Sequence, residues 1–208
     1  WKQAGLFFAF YYGAKMRTIE AKISLGRMYY PVKSLGPGNR VGIWLNGCHR
    51  RCVGCISPEL QKYDTSKEVT VNELMKMIQR IEAPIDGFTI SGGEPFLNPE
   101  ALNEMVQSLM SICDDILIFT GYRIEELKLQ KNEAIDSVLN ACAALIDGPY
   151  IKELNDNKGL RGSSNQRCLI FKYHDRYQGI ETSDRMLQNV MYGNKILTIG
   201  IPQGEMPL

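Results

Sequence analysis

Apolar residues recur along this chain in two rhythms, period two and period 3.6, and the changes between them outline its elements. The run VGIWLN at 41–46 is short, apolar and flanked by glycines, which predicts a buried strand. Thr70 with Glu73 makes a capping box, and Val71, Leu74, Met75, Ile78 and Ile81 then keep helical spacing. A second strand at 87–91 runs into Gly92-Gly93-Glu94-Pro95. Asn98 caps the next helix, Pro99 suits its first position, and Leu102, Met105, Val106 and Leu109 share one face. A strand at 115–120 closes on Gly121, a helix over about 132–142 turns Ile135, Val138 and Leu139 inward, and a strand at 143–147 is broken by Gly148-Pro149.

The repeated order of strand, polar loop and helix predicts an α/β fold with parallel strands and helices packed outside. In such folds ligands bind at the carboxyl ends of the strands. The loops at 48–55, 91–95, 120–122 and 147–150 all follow strands, so they are expected to line one mouth. Residues 19–32 predict a strand or hairpin leading into Gly36-Pro37-Gly38, and the tail offers two more strands at 168–173 and 195–199. Neither an internal repeat nor a low-complexity linker interrupts the chain, and one domain over 16–208 is expected, with a core at about 30–168 and an appendage at 169–208. Residues 1–15 are expected to be an extension or expression remnant, or to pack through 6–12 as an extra strand or helix.

Composition narrows the function. With 208 residues, 44% hydrophobic, the chain can bury a core without staples. Its 24 basic and 23 acidic residues give a net charge of +1, so nothing draws it as a whole to nucleic acid or to an acidic membrane, and neither is expected as a partner. The longest apolar run, 4–14, is too short for a bilayer. It has one Lys ahead of it and no clear small-x-small cleavage site before Lys15, so a secretion signal is not expected and a cytoplasmic location is.

Six cysteines carry the chemistry. Cys48, Cys52 and Cys55 fall within eight residues, whereas Cys113, Cys142 and Cys168 stand singly among apolar neighbours and read as core thiols. Clustered thiols in a reducing compartment point to metal. A structural zinc site wants four protein ligands, which only His49 or His174 could nominally complete here. Three thiolates on a short loop suit an iron-sulfur cluster that leaves one iron free for a small ligand.

The CX3CX2C loop after a strand, followed by SGGEP at 91–95, resembles radical S-adenosylmethionine (SAM) enzymes. The ordered blocks GPGNR at 36–40, TGY at 120–122 with EEL at 125–127, DGPY at 147–150 and RGSSNQ at 161–166 narrow the likeness to the small activating proteins of anaerobic ribonucleoside-triphosphate reductase. The resemblance covers about residues 30–168 and implies a partial (β/α) barrel with extra N- and C-terminal strands. It implies one 4Fe-4S cluster on Cys48, Cys52 and Cys55, and SAM contacts from Gly54, Ser91, Gly92, Gly93, Glu94, Thr120, Tyr122 and Asp147. Glu94 would meet the methionine ammonium, the glycines would let backbone approach the cofactor, and Asp147 would orient SAM hydroxyls or hold a cation, or merely start its turn. The implied reaction is reductive cleavage of SAM to a 5'-deoxyadenosyl radical that takes hydrogen from a glycine of a large glycyl-radical enzyme, with a flavodoxin- or ferredoxin-like electron donor. Two other readings stay open: a stand-alone radical SAM enzyme acting on a peptide or other macromolecule, and a non-catalytic metal-binding interaction module. Many radical SAM loops carry an aromatic where Gly54 stands, which opens the adenine side, and the chain continues about forty residues past the RGSSNQ block.

Overall fold

The computed structural model describes residues 20–204, so the expectations for 1–15 fall outside it. A seven-stranded sheet runs in the order β3-β1-β2-β4-β5-β6-β7, and a separate hairpin pairs β8 with β9. The strands are β1 (Lys22–Val32), β2 (Arg40–Leu45), β3 (Glu68–Thr70), β4 (Gly87–Gly92), β5 (Ile116–Phe119), β6 (Ala144–Asp147), β7 (Arg167–Ile170), β8 (Leu187–Tyr192) and β9 (Lys195–Gly200). The helices are α1 (Val71–Ile78), α2 (Pro99–Met110), α3 (Ile124–Leu129) and α4 (Glu133–Ala141). Strands β2, β4, β5 and β6 are mutually parallel, as the alternation predicts, while β1 and β7 flank them antiparallel. The fold is therefore α/β. Its sheet ends at β3 and β7, which do not pair with each other.

Parallel strands bury both faces, and for that reason β2 after Arg40 reads as an unbroken apolar run. Val41, Ile43, Phe88, Ile90, Ile116, Ile118 and Leu145 meet the apolar stripes of α1, α2 and α4. Alternate residues, among them Trp44, Leu117 and Ile146, belong to two smaller clusters on the opposite face, which residues of the tail help to cover. Thr70 and Glu73 form the expected capping box on α1, although that helix stops at Ile78 and leaves Ile81 beyond it. The predicted 19–32 strand or hairpin is one long strand, β1.

At the amino ends of the parallel strands, Arg40 is wholly buried on the sheet's covered face. Its Nε donates to Thr89 Oγ1 at 2.8 Å and its Nη2 to the carbonyls of Phe88 and Asp115 at 2.6 and 2.8 Å. Asp115 also accepts from the Tyr177 hydroxyl and pairs with Arg176 at 2.7 Å. A buried guanidinium satisfied in this way explains why the GPGNR block ends in arginine. Register at the other end aligns Trp44 with Ser91 and Leu45 with Gly92, which brings the loops after β2 and β4 side by side.

Candidate functional site

Beyond Leu45 the chain is pinned before the first cysteine. Gly47 N–H donates to the Leu60 carbonyl and Cys48 N–H to that of Gln61, at 2.8 and 2.9 Å. From the neighbouring loop, Gly93 N–H reaches Leu45 O and Glu94 N–H reaches Gly47 O, both at 2.7 Å. A Cβ on Gly92 would lie 2.4 Å from Leu45 O, and one on Gly93 only 2.1 Å from Gly47 O. The glycines of SGGEP thus let two stretches of chain approach each other. Gly54 has φ +71°, a left-handed conformation, and a Cβ there would make only ordinary contact with Lys152 and Tyr150.

The loops after β2, β4, β5 and β6 do converge, on a cavity of about 910 Å³. Cys48, Cys52, Gly54 and Cys55 line one side of it, and Ser91, Gly92, Gly93, Glu94 and Thr120 line it as well. Tyr122 and Asp147 do not. Tyr122 is turned toward the cluster loop, its hydroxyl 3.0 Å from His49 Nε2 and its ring under the Arg50 guanidinium at 4.4 Å. The Asp147 carboxylate is fully buried and accepts from Ile124 N–H at 2.8 Å and from Arg167 Nε at 2.9 Å, with a further bond from Arg167 Nη2. It ties the first turn of α3 to β7, so the role in orienting a ligand gives way to a positioning one.

Glu94 is 2% exposed and accepts three hydrogen bonds. Oε1 accepts from Thr120 Oγ1 at 2.7 Å and Phe96 N–H at 3.1 Å, and Oε2 accepts from Gly121 N–H at 2.8 Å. Burial pushes its carboxyl up, while these donors and the Arg50 charge pull it back. One carboxylate therefore clasps the ends of β4 and β5 and also caps the short turn Pro95–Leu97. Burial likewise raises the Cys48 thiol, helped by the charges of Glu94 and Cys52 and opposed by the Arg50 and Arg51 amides.

All three loop cysteines are half-buried free thiols, and none of Cys113, Cys142 or Cys168 reaches the cavity. Cys142 is a core thiol as expected, its value pushed to about 12 by burial, whereas Cys113 and Cys168 are only partly buried. Among the described residues, no three His, Cys, Asp or Glu side chains gather closely enough for a single ion. A polynuclear cluster spreads its thiolates more widely than one tetrahedral metal does, so three thiols at a cavity wall fit an iron-sulfur cluster with one position left to a small ligand. Residues 34–169 match the sequence profile described as 4Fe-4S single cluster domain.

The chain belongs to that family. This single-cluster domain is 33% identical over 148 residues to the anaerobic ribonucleoside-triphosphate reductase-activating protein of Salmonella typhi, covering 66% of the present chain and 93% of the relative. The protein of that name from Enterobacteria phage T4 is 31% identical over 138 residues, covering 64% and 84%. A pyruvate formate-lyase-activating enzyme from Clostridium pasteurianum is 37% identical over 90 residues, 41% of this chain and 36% of the relative. Resemblance to the activases, read from the ordered blocks, is thereby established.

The RGSSNQ block of the single-cluster domain organises the loop after β6. Gln166 Nε2 donates to Gly148 O and Asn165 Nδ2 to Pro149 O, both at 2.8 Å, while Ile151 N–H donates to the buried Ser163 Oγ at 3.1 Å. Sequence reasoning missed Arg185, Ile201, Pro202 and Gly204, which line the same cavity from the tail. No motif or periodicity marks them, since only the folding back of the chain brings them there.

Proposed function

We propose that this chain is a radical SAM activating enzyme that takes hydrogen from a glycine of a partner glycyl-radical enzyme, an anaerobic ribonucleotide reductase. The observation that carries this reading is the placement of three free thiols, the SGGEP glycines and Glu94 on one cavity of about 910 Å³, within a chain of the single-cluster family. Cys48, Cys52 and Cys55 hold the 4Fe-4S cluster, and the cavity beside Ser91, Gly93 and Thr120 receives SAM. When bound, cluster and SAM together supply a one-electron cleavage that gives methionine and a 5'-deoxyadenosyl radical. Glu94 presents the negative charge that a methionine ammonium needs, and the hydrogen bonds it accepts keep that charge in place. Arg50 stacks on Tyr122 and pairs with Glu126 at 3.0 Å, which fixes the cluster loop against the start of α3. Phe119 and Tyr150 add aromatic surface to the cavity, shielding its contents from water.

The parallel strands β2, β4, β5 and β6 with their helices represent part of a (β/α) barrel, whose carboxyl-end mouth is the cavity. Residues 16–208 form one domain, and the protein works in the cytoplasm. Among the described residues no helix is long and apolar enough to cross a membrane. A flavodoxin- or ferredoxin-like donor delivers the electron near Arg51 and the exposed Val53 on the outside of the cluster loop. The reading is tested by anaerobic reconstitution with iron and sulfide, reduction, and addition of SAM and the reductase. About four iron atoms per chain, 5'-deoxyadenosine release and a glycyl-radical paramagnetic resonance signal are expected. Zinc in place of iron, or a cluster whose spectrum ignores SAM, would refute it.

A further inference from the structure

Residues 170–204 lie beyond the matched family region, yet part of them lines the cavity. The sheet that carries the site is open, with β3 and β7 as unpaired edges, so the loops after its four parallel strands cannot ring a ligand as those of a closed barrel do. The tail is bonded to both sides of this sheet. On the β7 side, Cys168 N–H donates to Glu181 Oε1 at 3.2 Å. On the β1 side, Gln188 Nε2 donates to Pro31 O at 2.8 Å and Ser34 Oγ to Ile199 O at 2.9 Å. Directly after β9, Ile201, Pro202 and Gly204 join the cavity lining.

One side chain ties this segment to the rest of the wall. Arg185 lines the cavity with its side chain only 1% exposed. Nη1 donates to Pro202 O at 2.8 Å, and Nη2 to Arg161 O and Gly162 O at 2.7 and 3.1 Å. Gly162 N–H in turn donates to Gln166 Oε1, and Gln166 Nε2 to Gly148 O, both at 2.8 Å. An unbroken series of bonds therefore runs from the loop after β6 to the tail, and Gly148, Gln166, Gly162, Arg185 and Pro202 all line the cavity. The guanidinium has no close carboxylate, since Asp156 stands 4.0 Å away and pairs with Arg161 at 2.9 Å. Burial pulls Arg185 below its ordinary value, and its Nε is buried without a partner. As a plain staple this is poor, because apolar side chains would anchor a tail with less desolvation. A planar fork of donors, by contrast, fixes several carbonyl oxygens in one geometry.

We propose that Arg185 is a positioning residue for SAM: it sets Pro202 against Gly162, so that the tail closes the open side of the cavity and retains the cofactor. The inference rests on the reading of this cavity as the SAM site. Arg185 acts through the wall, since its Nη donors are engaged by carbonyls and its Nε is closed to any ligand. A wall held in place before binding raises affinity because less ordering is left to the binding step.

The test uses the full chain with its cluster reconstituted and unreduced, and SAM as probe in anaerobic equilibrium dialysis. Arg185→Met keeps an unbranched stem, removes the three bonds, and should raise Kd about tenfold with iron per chain unchanged. In the reduced protein, the change SAM makes to the paramagnetic resonance spectrum should reach its wild-type form, but at about tenfold more SAM. Thr198→Val removes a 2.7 Å tail bond to Asn189 away from the cavity, and should leave Kd as in wild type. Wild-type Kd in Arg185→Met, or an equal rise in Thr198→Val, overturns the positioning role and leaves the activase reading standing. If Arg185→Met loses iron through unfolding, Pro202→Gly decides, because it loosens the wall and keeps the carbonyl that Arg185 holds. A raised Kd with full iron in that variant supports the wall, and a wild-type Kd overturns it. A wild-type chain whose cluster ignores SAM refutes the reading on which the inference rests.

Discussion

Replacing Gly93 by alanine tests whether the SGGEP glycines serve the contact between loops. The added Cβ would stand 2.1 Å from Gly47 O and 2.7 Å from its carbonyl carbon, and ordinary contact begins at 3.4 Å. Backbone must therefore retreat by roughly 1.3 Å, because no flexible side chain is there to yield. The same retreat breaks the 2.7 Å bonds from Gly93 N–H to Leu45 O and from Glu94 N–H to Gly47 O. Overpacking of this kind costs about 1–3 kcal/mol and each of the two lost hydrogen bonds about 0.5–1.5 kcal/mol, so about 2–6 kcal/mol of stability should disappear. Gly47 directly precedes Cys48, so the thiol moves as well and the cluster site loosens. Urea unfolding of the metal-free chain reads the stability, and iron per chain after anaerobic reconstitution reads the site. Both should fall. A variant with wild-type midpoint and full iron would show that the close approach does not require glycine.

Three further outcomes follow from the site. Serine at Cys48, Cys52 or Cys55 should abolish iron uptake, while alanine at Cys113, Cys142 or Cys168 should preserve it; iron assay after reconstitution separates the two sets. Glu94→Gln leaves one amide oxygen for three donors, and should cost about 1–3 kcal/mol in denaturant titration; an unchanged midpoint would mean that the clasp is not formed. Arg167 bonds hold the Glu125 carboxyl at about 2, below its ordinary 4.5. A depressed value of this sign gives stability present above pH 4.5 and lost as pH falls toward 2. Carbon-13 titration should show Glu125 returning toward 4.5 in Arg167→Gln.

The parallel strands and the amphipathic helices were legible because burial imposes a periodic pattern on them. Predicted strands at 41–46, 87–91 and 143–147 lie within one residue of β2, β4 and β6 at either end. Short β3 and six-residue α3 left no such pattern, and α3 depends on the Asp147 carboxylate meeting Ile124 N–H, a contact across 23 positions. The cysteine spacing and SGGEP located the cavity, but not the close approach of the two loops, since Gly47 and Gly93 meet only in the folded sheet. Asp147 sat at a strand end like the true lining residues, yet the last side chain of β6 turns to the helix layer. Of the hairpin, β9 was visible as KILTIG, whereas LQNVMY in β8 mixes apolar and polar residues on both faces.

Tyr177 has a consequence for how the chain matures. Its hydroxyl completes the ionic cluster of Arg40 and Asp115, yet it is donated from eight positions past the end of the family match. During synthesis the nascent sheet keeps an unfinished base until that tyrosine clears the ribosome. A gene trimmed to the end of the family match at residue 169 would encode a chain whose buried arginine and aspartate lie open to water from below.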